Sequence, residues 1–170
     1  MTFPHSSGYS LLEVLVALLV LSAGVIGAAA LQLSAWQLTH QSHLHTVAQQ
    51  LAAEMSEWMQ VLDDAALDQL KNLEMHDAHP SAAHCYGRHC DADGLLHFIT
   101  ADWIKRAQTA LPQAQVRICR DAAPWDSGAS SYRWECASSE QALLVIKLGW
   151  LDKQDLDRPN APLVVMSAAR

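Results

Sequence analysis

Residues 9–33 read YSLLEVLVALLVLSAGVIGAAALQL. From Val14 to Leu31, eighteen consecutive residues carry no charge. Ser22 is the only plainly polar side chain among them, and Gly24 and Gly27 interrupt the larger ones. At 1.5 Å per residue a helix of this length spans roughly 27 Å, close to the thickness of a bilayer core. A buried core helix is the plain alternative, and it suits poorly the extreme N-terminus of a chain of 170 residues. Glu13 stands at the head of the apolar run, two residues after Leu11-Leu12.

The eight residues upstream, MTFPHSSG, contain Pro4 and Gly8 but no lysine or arginine. An ordinary export peptide has a positive start, an apolar stretch and a small-residue cleavage site. Ala28-Ala29-Ala30 could serve as such a site, which keeps a secreted binding domain as an alternative. Glu13 carries the distinctive chemistry. A carboxylate costs several kcal/mol if it enters hydrocarbon unpaired, and a helix N-terminus offsets little of that. An α-amine generated after Gly8 would lie four residues away and supply the opposite charge. Where helices pack side by side, the carboxylate of one meets the amine of its neighbour, and the pair sets axial register. The plainer reading leaves Glu13 in the headgroup layer.

Gly8-Tyr9-Ser10-Leu11-Leu12-Glu13, followed by Val14-Leu15-Val16-Ala17, resembles the type III signal of type IV prepilins and pseudopilins. The resemblance implies cleavage between Gly8 and Tyr9 by prepilin peptidase and methylation of the new amine. Glu13 then becomes the fifth mature residue, the register-setting glutamate. The longer run Val20 to Gly27 with Leu31-Gln32 resembles the PilV family of minor pilins, the type IV pilus modification proteins. Asp102-Trp103, Ala110-Leu111-Pro112, Val116 to Asp121 and Val145 to Trp150 continue that resemblance. Two departures stand out. Tyr9 replaces the commoner phenylalanine, and the leader lacks the basic residue that usually signals topology.

Helical character continues past Leu33. Leu44, Val47, Ala48, Leu51, Met55, Trp58, Met59 and Leu62 recur at three- and four-residue spacing, with polar side chains between. This predicts one amphipathic helix whose apolar stripe packs a core, Met55, Trp58 and Met59 included. No proline falls between Tyr9 and Val61, so a single helix of roughly 80 Å is expected. The chain divides into a leader (1–8), a transmembrane and assembly segment (9–33), an amphipathic continuation (34–62) and a head (63–170). The fold class expected is α+β. The resemblance implies a lollipop-like architecture, a long helix packed against a small antiparallel sheet. Gly24 and Gly27 are candidates for close helix packing.

Ala65 to Leu73 suggests a short helix, and Leu95 to Leu111 a longer one ended by Pro112, with Trp103 on its core face. Gln115–Cys119, Ser131–Cys136, Leu143–Trp150 and Leu163–Met166 read as strands, joined by links short enough for antiparallel pairing. Pro124 to Ser131 reads as a turn-rich connector. Four cysteines, Cys85, Cys90, Cys119 and Cys136, lie beyond the apolar segment. An even count after a membrane or export signal points to an oxidising compartment and disulfides. Three pairings are open. Cys119 with Cys136, on two strand-like runs, and Cys85 with Cys90 in a local loop is the favoured one.

Other chemistries find little support. His76, His79, His84 and His89 accompany Cys85 and Cys90, but thiols in an oxidising compartment favour a disulfide over zinc, and no metal or other cofactor is expected. Asp152, Asp155 and Asp157 lack calcium-loop spacing and glycine. Net charge is −7 with only 11 basic residues, none before Lys71, and this argues against a duplex nucleic-acid surface. Lys105-Arg106 reads as a solvated helix face. No serine sits in a G-x-S-x-G elbow and no phosphate loop appears, so an enzyme is not expected. The resemblance implies a minor pilin of type IV pilus assembly, in a priming or tip complex. Its partners would be other minor pilins and the major pilin, prepilin peptidase and the inner-membrane assembly platform. It would wait as a single-pass inner-membrane protein with a periplasmic head. A minor pseudopilin of type II secretion is the nearest alternative.

Overall fold

The computed structural model describes residues 10–71, 73–74, 85, 87, 89–139, 142–151 and 161–168. The chain forms two compact units, Met1–Gln41 and Ser42–Arg170. Helix α1 spans Leu11–Val61, as the proline-free run predicts.

In the first unit, every described residue up to His40 is exposed. The few hydroxyls turn back onto the helix. Ser22 Oγ donates to Leu19 O at 2.8 Å and Thr39 Oγ1 to Ala35 O at 2.9 Å. Such bonds satisfy the polar groups locally and leave an apolar exterior.

In the second unit, α1 buries Ala48, Leu51, Ala52, Met55 and Met59, the three- and four-residue spacing of the predicted stripe. Trp58 departs from that expectation. It is 40% exposed, because it follows Met55 by three residues but lies on the flank of the stripe that Met59 completes. Helix α2 covers Asp64–Leu70, with Asp63 Oδ1 accepting from Ala66 N at 2.8 Å as its cap. It ends short of the expected Leu73, which instead pairs with Ile118 in strand β1 (Leu73–Glu74). Helix α3 covers Ala92–Ala110 and starts earlier than expected, because Asp91 caps it by accepting from Gly94 N. Trp103 is fully buried in the core, and its indole Nε1 donates to Leu51 O at 2.9 Å, tying α3 to α1.

Strands β2 (Gln115–Arg120), β5 (Leu144–Gly149) and β6 (Val164–Ser167) join β1 in an antiparallel sheet ordered β1-β2-β5-β6. The long helix and small antiparallel sheet make an α+β fold, the expected class. One strand differs. Only Ser131–Tyr132 of the run 131–136 is extended in a ladder. As β4 it pairs with β3 (Trp125–Asp126) in a separate ribbon, inside the stretch read as a connector. From Arg133 onward the backbone carbonyls serve a buried ammonium instead of a neighbouring strand.

The sheet has two covered faces. Val116, Ile118, Ile146 and Leu148 join the α1 and α3 side chains in one core. Cys119, Val145 and Lys147 alternate with them and so point to the opposite face, where the segment after β2 lies. Cys119 is disulfide-bonded to Cys136 there, with Cα atoms 6.3 Å apart. Cys85 is bonded to Cys90, so the structure has the favoured pairing. With both faces covered, all six residues of β5 are buried.

Candidate assembly segment

Helix α1 opens at Ser10, whose carbonyl accepts from Glu13 N at 3.0 Å and Val14 N at 3.3 Å. Glu13 therefore sits in the first helical turn, exposed. A carboxylate is favourable there, beside the unpaired N–H groups of the helix start. Gly8 and Tyr9 lie outside the described residues. Behind Glu13, large apolar side chains stand open on all sides: Leu12 is 70% exposed, Leu19 68% and Ile26 70%. None of the apolar window is buried within the molecule, unlike the core helix of a water-soluble protein. This helix is long and apolar enough to cross a membrane. A side chain at Gly24 or Gly27 would meet no atom within 4 Å. Among the described residues nothing requires glycine at either position. Further along, the exposed Trp36 ring stacks on His40, with centroids 5.8 Å apart.

The head contains a feature that the sequence reading did not single out. Lys147, in the middle of β5, has no exposed side-chain surface. Its Nζ donates to Asp121 Oδ2 at 2.5 Å and to the carbonyls of Arg133 at 2.7 Å and Glu135 at 2.9 Å. Asp121 Oδ1 accepts from Ala123 N and Ala137 N. Burial alone would raise the Asp121 pKa. The Lys147 ammonium and the two backbone N–H groups outweigh that and hold it below the usual aspartate value. The pair knots the 121–137 segment onto the sheet beside the Cys119–Cys136 bridge. One signal was present: a lone cation inside LLVIKLGW must find a buried partner if the strand is central. Arg106, read as solvated, forks onto Glu54 of α1 at 2.7 and 2.5 Å. That bond, with the opposite charge, lowers the Glu54 pKa against a smaller opposing effect of burial.

Of the histidines weighed for zinc, His76, His79 and His84 lie outside the described residues, as do Asp152, Asp155 and Asp157. Among the described residues no three metal-ligating side chains gather, and Cys85 and Cys90 are consumed by their disulfide.

Residues 4–29 match the family model for the prokaryotic N-terminal methylation motif. No curated protein and no solved structure matches the chain. The match, which runs from Pro4 through Glu13 and most of the apolar stretch, supports a type IV pilin-like protein. It points to a structural subunit rather than an enzyme, and with the exposed apolar helix it fits a membrane-anchored pilin-like chain.

Proposed function

We propose that this chain is a minor pilin resembling the PilV family, supporting type IV pilus assembly in a priming or tip complex. The observation that carries the reading is the methylation motif at residues 4–29, leading into an exposed apolar helix with Glu13 in its first turn. Cleavage between Gly8 and Tyr9 by prepilin peptidase and methylation of Tyr9 would place the new amine four residues before Glu13. The apolar helix would hold the protein in the inner membrane with its head in the periplasm. Assembly would then transfer it through the platform to a pilus of major and minor pilins. Open faces at Gly24 and Gly27 suit close approach of a neighbouring helix.

The N-terminal mass of protein from native membranes or sheared pili tests this. A methylated start at Tyr9 is expected. A start near Leu31 would mean the apolar segment had been discarded, leaving a secreted binding domain. Copurification then separates pilus subunits from type II secretion pseudopilins. Glu13→Ala is expected to reduce incorporation into pili while head stability stays unchanged. Equal incorporation of mutant and wild type would remove Glu13 from the register-setting role.

A further inference from the structure

Helix α1 changes character beyond Leu31 without gaining a charge. No Asp, Glu, Lys or Arg occurs between Glu13 and Glu54. A helix leaving a bilayer usually marks the boundary with lysine, arginine or an aromatic belt. Here the charges are missing, and the aromatic group is Trp36. Its ring is 67% exposed and stacks on exposed His40 one turn later, with centroids 5.8 Å apart and planes 12° from parallel. Leu33 and Leu38, also exposed, flank it.

The surroundings of Trp36 are mixed rather than purely apolar. Gln32 and Gln37 bring amides. The hydroxyls turn inward: Ser34 Oγ donates to Ala30 O at 3.2 Å and Thr39 Oγ1 to Ala35 O at 2.9 Å. Among the described residues no acceptor meets the Trp36 indole N–H. A wide apolar ring with one free donor suits the layer where acyl chains end and ester carbonyls and phosphates begin.

The spacing agrees with that chemistry. Trp36 follows Glu13 by 23 residues, which is about 35 Å of helix. A hydrocarbon core is about 30 Å thick, and about 40–45 Å with its headgroup layers. With Glu13 in one headgroup layer, Trp36 falls in the opposite one, and a modest tilt keeps it there. We infer that Trp36, with His40 stacked on it, is the lipid-headgroup contact that ends the membrane-spanning part of α1. The partner is the phospholipid interface, chosen over a neighbouring protein because the stack continues an exposed helix long and apolar enough to cross a membrane. This inference rests on the membrane-anchored reading and adds to it the depth at which the helix sits.

The test uses the full chain in phosphatidylcholine vesicles whose acyl chains carry bromine either near the headgroup or near the chain ends. Bromine quenches the fluorescence of an indole close to it. Trp36 is one of six tryptophans, so its share is read as the difference between wild type and Trp36→Phe. Shallow bromines are expected to quench that share more than deep ones. Deeper quenching, or no difference between wild type and Trp36→Phe, would overturn the proposal. Val25→Trp in the Trp36→Phe background places an indole halfway along the segment and reports spanning separately, with deep bromines expected to quench it most. If that indole is quenched and Trp36 is not, the proposal falls alone. If neither is quenched, the membrane-anchored reading falls and the proposal with it.

Discussion

Lys147 and Asp121 show how one charged residue in an apolar strand organises the loop around it. Removing one member of a buried pair leaves the other charged without a partner, typically at a cost of about 3–5 kcal/mol. Lys147→Met should destabilise the head by that order, read by denaturant unfolding. The exposed fork of Arg106 on Glu54 should contribute only about 0–1 kcal/mol. Acid pH gives a second check. The folded pKa of Asp121 is depressed, so its stabilisation is present above the unfolded value of about 3.9 and is lost as pH falls through the folded one. The stability difference between wild type and Asp121→Asn should therefore be full at neutral pH and narrow below about pH 4. A difference independent of pH would mean that the carboxylate charge contributes nothing.

At the scale of elements, α1 is one helix with two kinds of surface. Before Gln41 its apolar side chains stand exposed; beyond Ser42 one stripe enters a core. Periodicity made the stripe legible, since Ala48, Leu51, Met55 and Met59 repeat as a helix requires. It did not place Trp58, because a residue on the flank of a stripe is buried or exposed according to what packs beside it. Met55→Ala should destabilise the head by about 2–5 kcal/mol. Val61→Ala, at a position 76% exposed, should change it by about 0.5 kcal/mol or less. Equal losses at both positions in thermal unfolding would contradict the stripe. Helix starts at Asp64 and Ala92 were legible only through their caps, Asp63 and Asp91, which lie ahead of the apolar periodicity. The strand expected over residues 131–136 was cut short because those carbonyls face Lys147.

At the scale of the whole molecule, the hydrophobic core lies entirely within Ser42–Arg170. A fragment beginning at Ser42 is therefore expected to fold cooperatively without detergent, with both disulfides formed. Its melting temperature should lie within a few degrees of the full chain's head transition. A fragment that fails to fold would show that residues before Ser42 contribute to the core after all. The same division separates the evidence for function. The motif and apolar helix speak for a pilin-like subunit, and the second unit holds the core and both disulfides.

The sequence by itself determined the long helix, its apolar first half, the position of Glu13 and the α+β class, because these follow from local periodicity and uninterrupted hydropathy. It also favoured the disulfide pairing, through two strand-like runs brought close by a short connection. Only the tertiary structure decided that the sheet is covered on both faces, that Lys147 is buried against Asp121, and that the sheet runs in the order β1-β2-β5-β6. Those features depend on register and on contacts between residues far apart in the chain. A one-residue shift in either would leave the local pattern unchanged and turn every side chain to the other face.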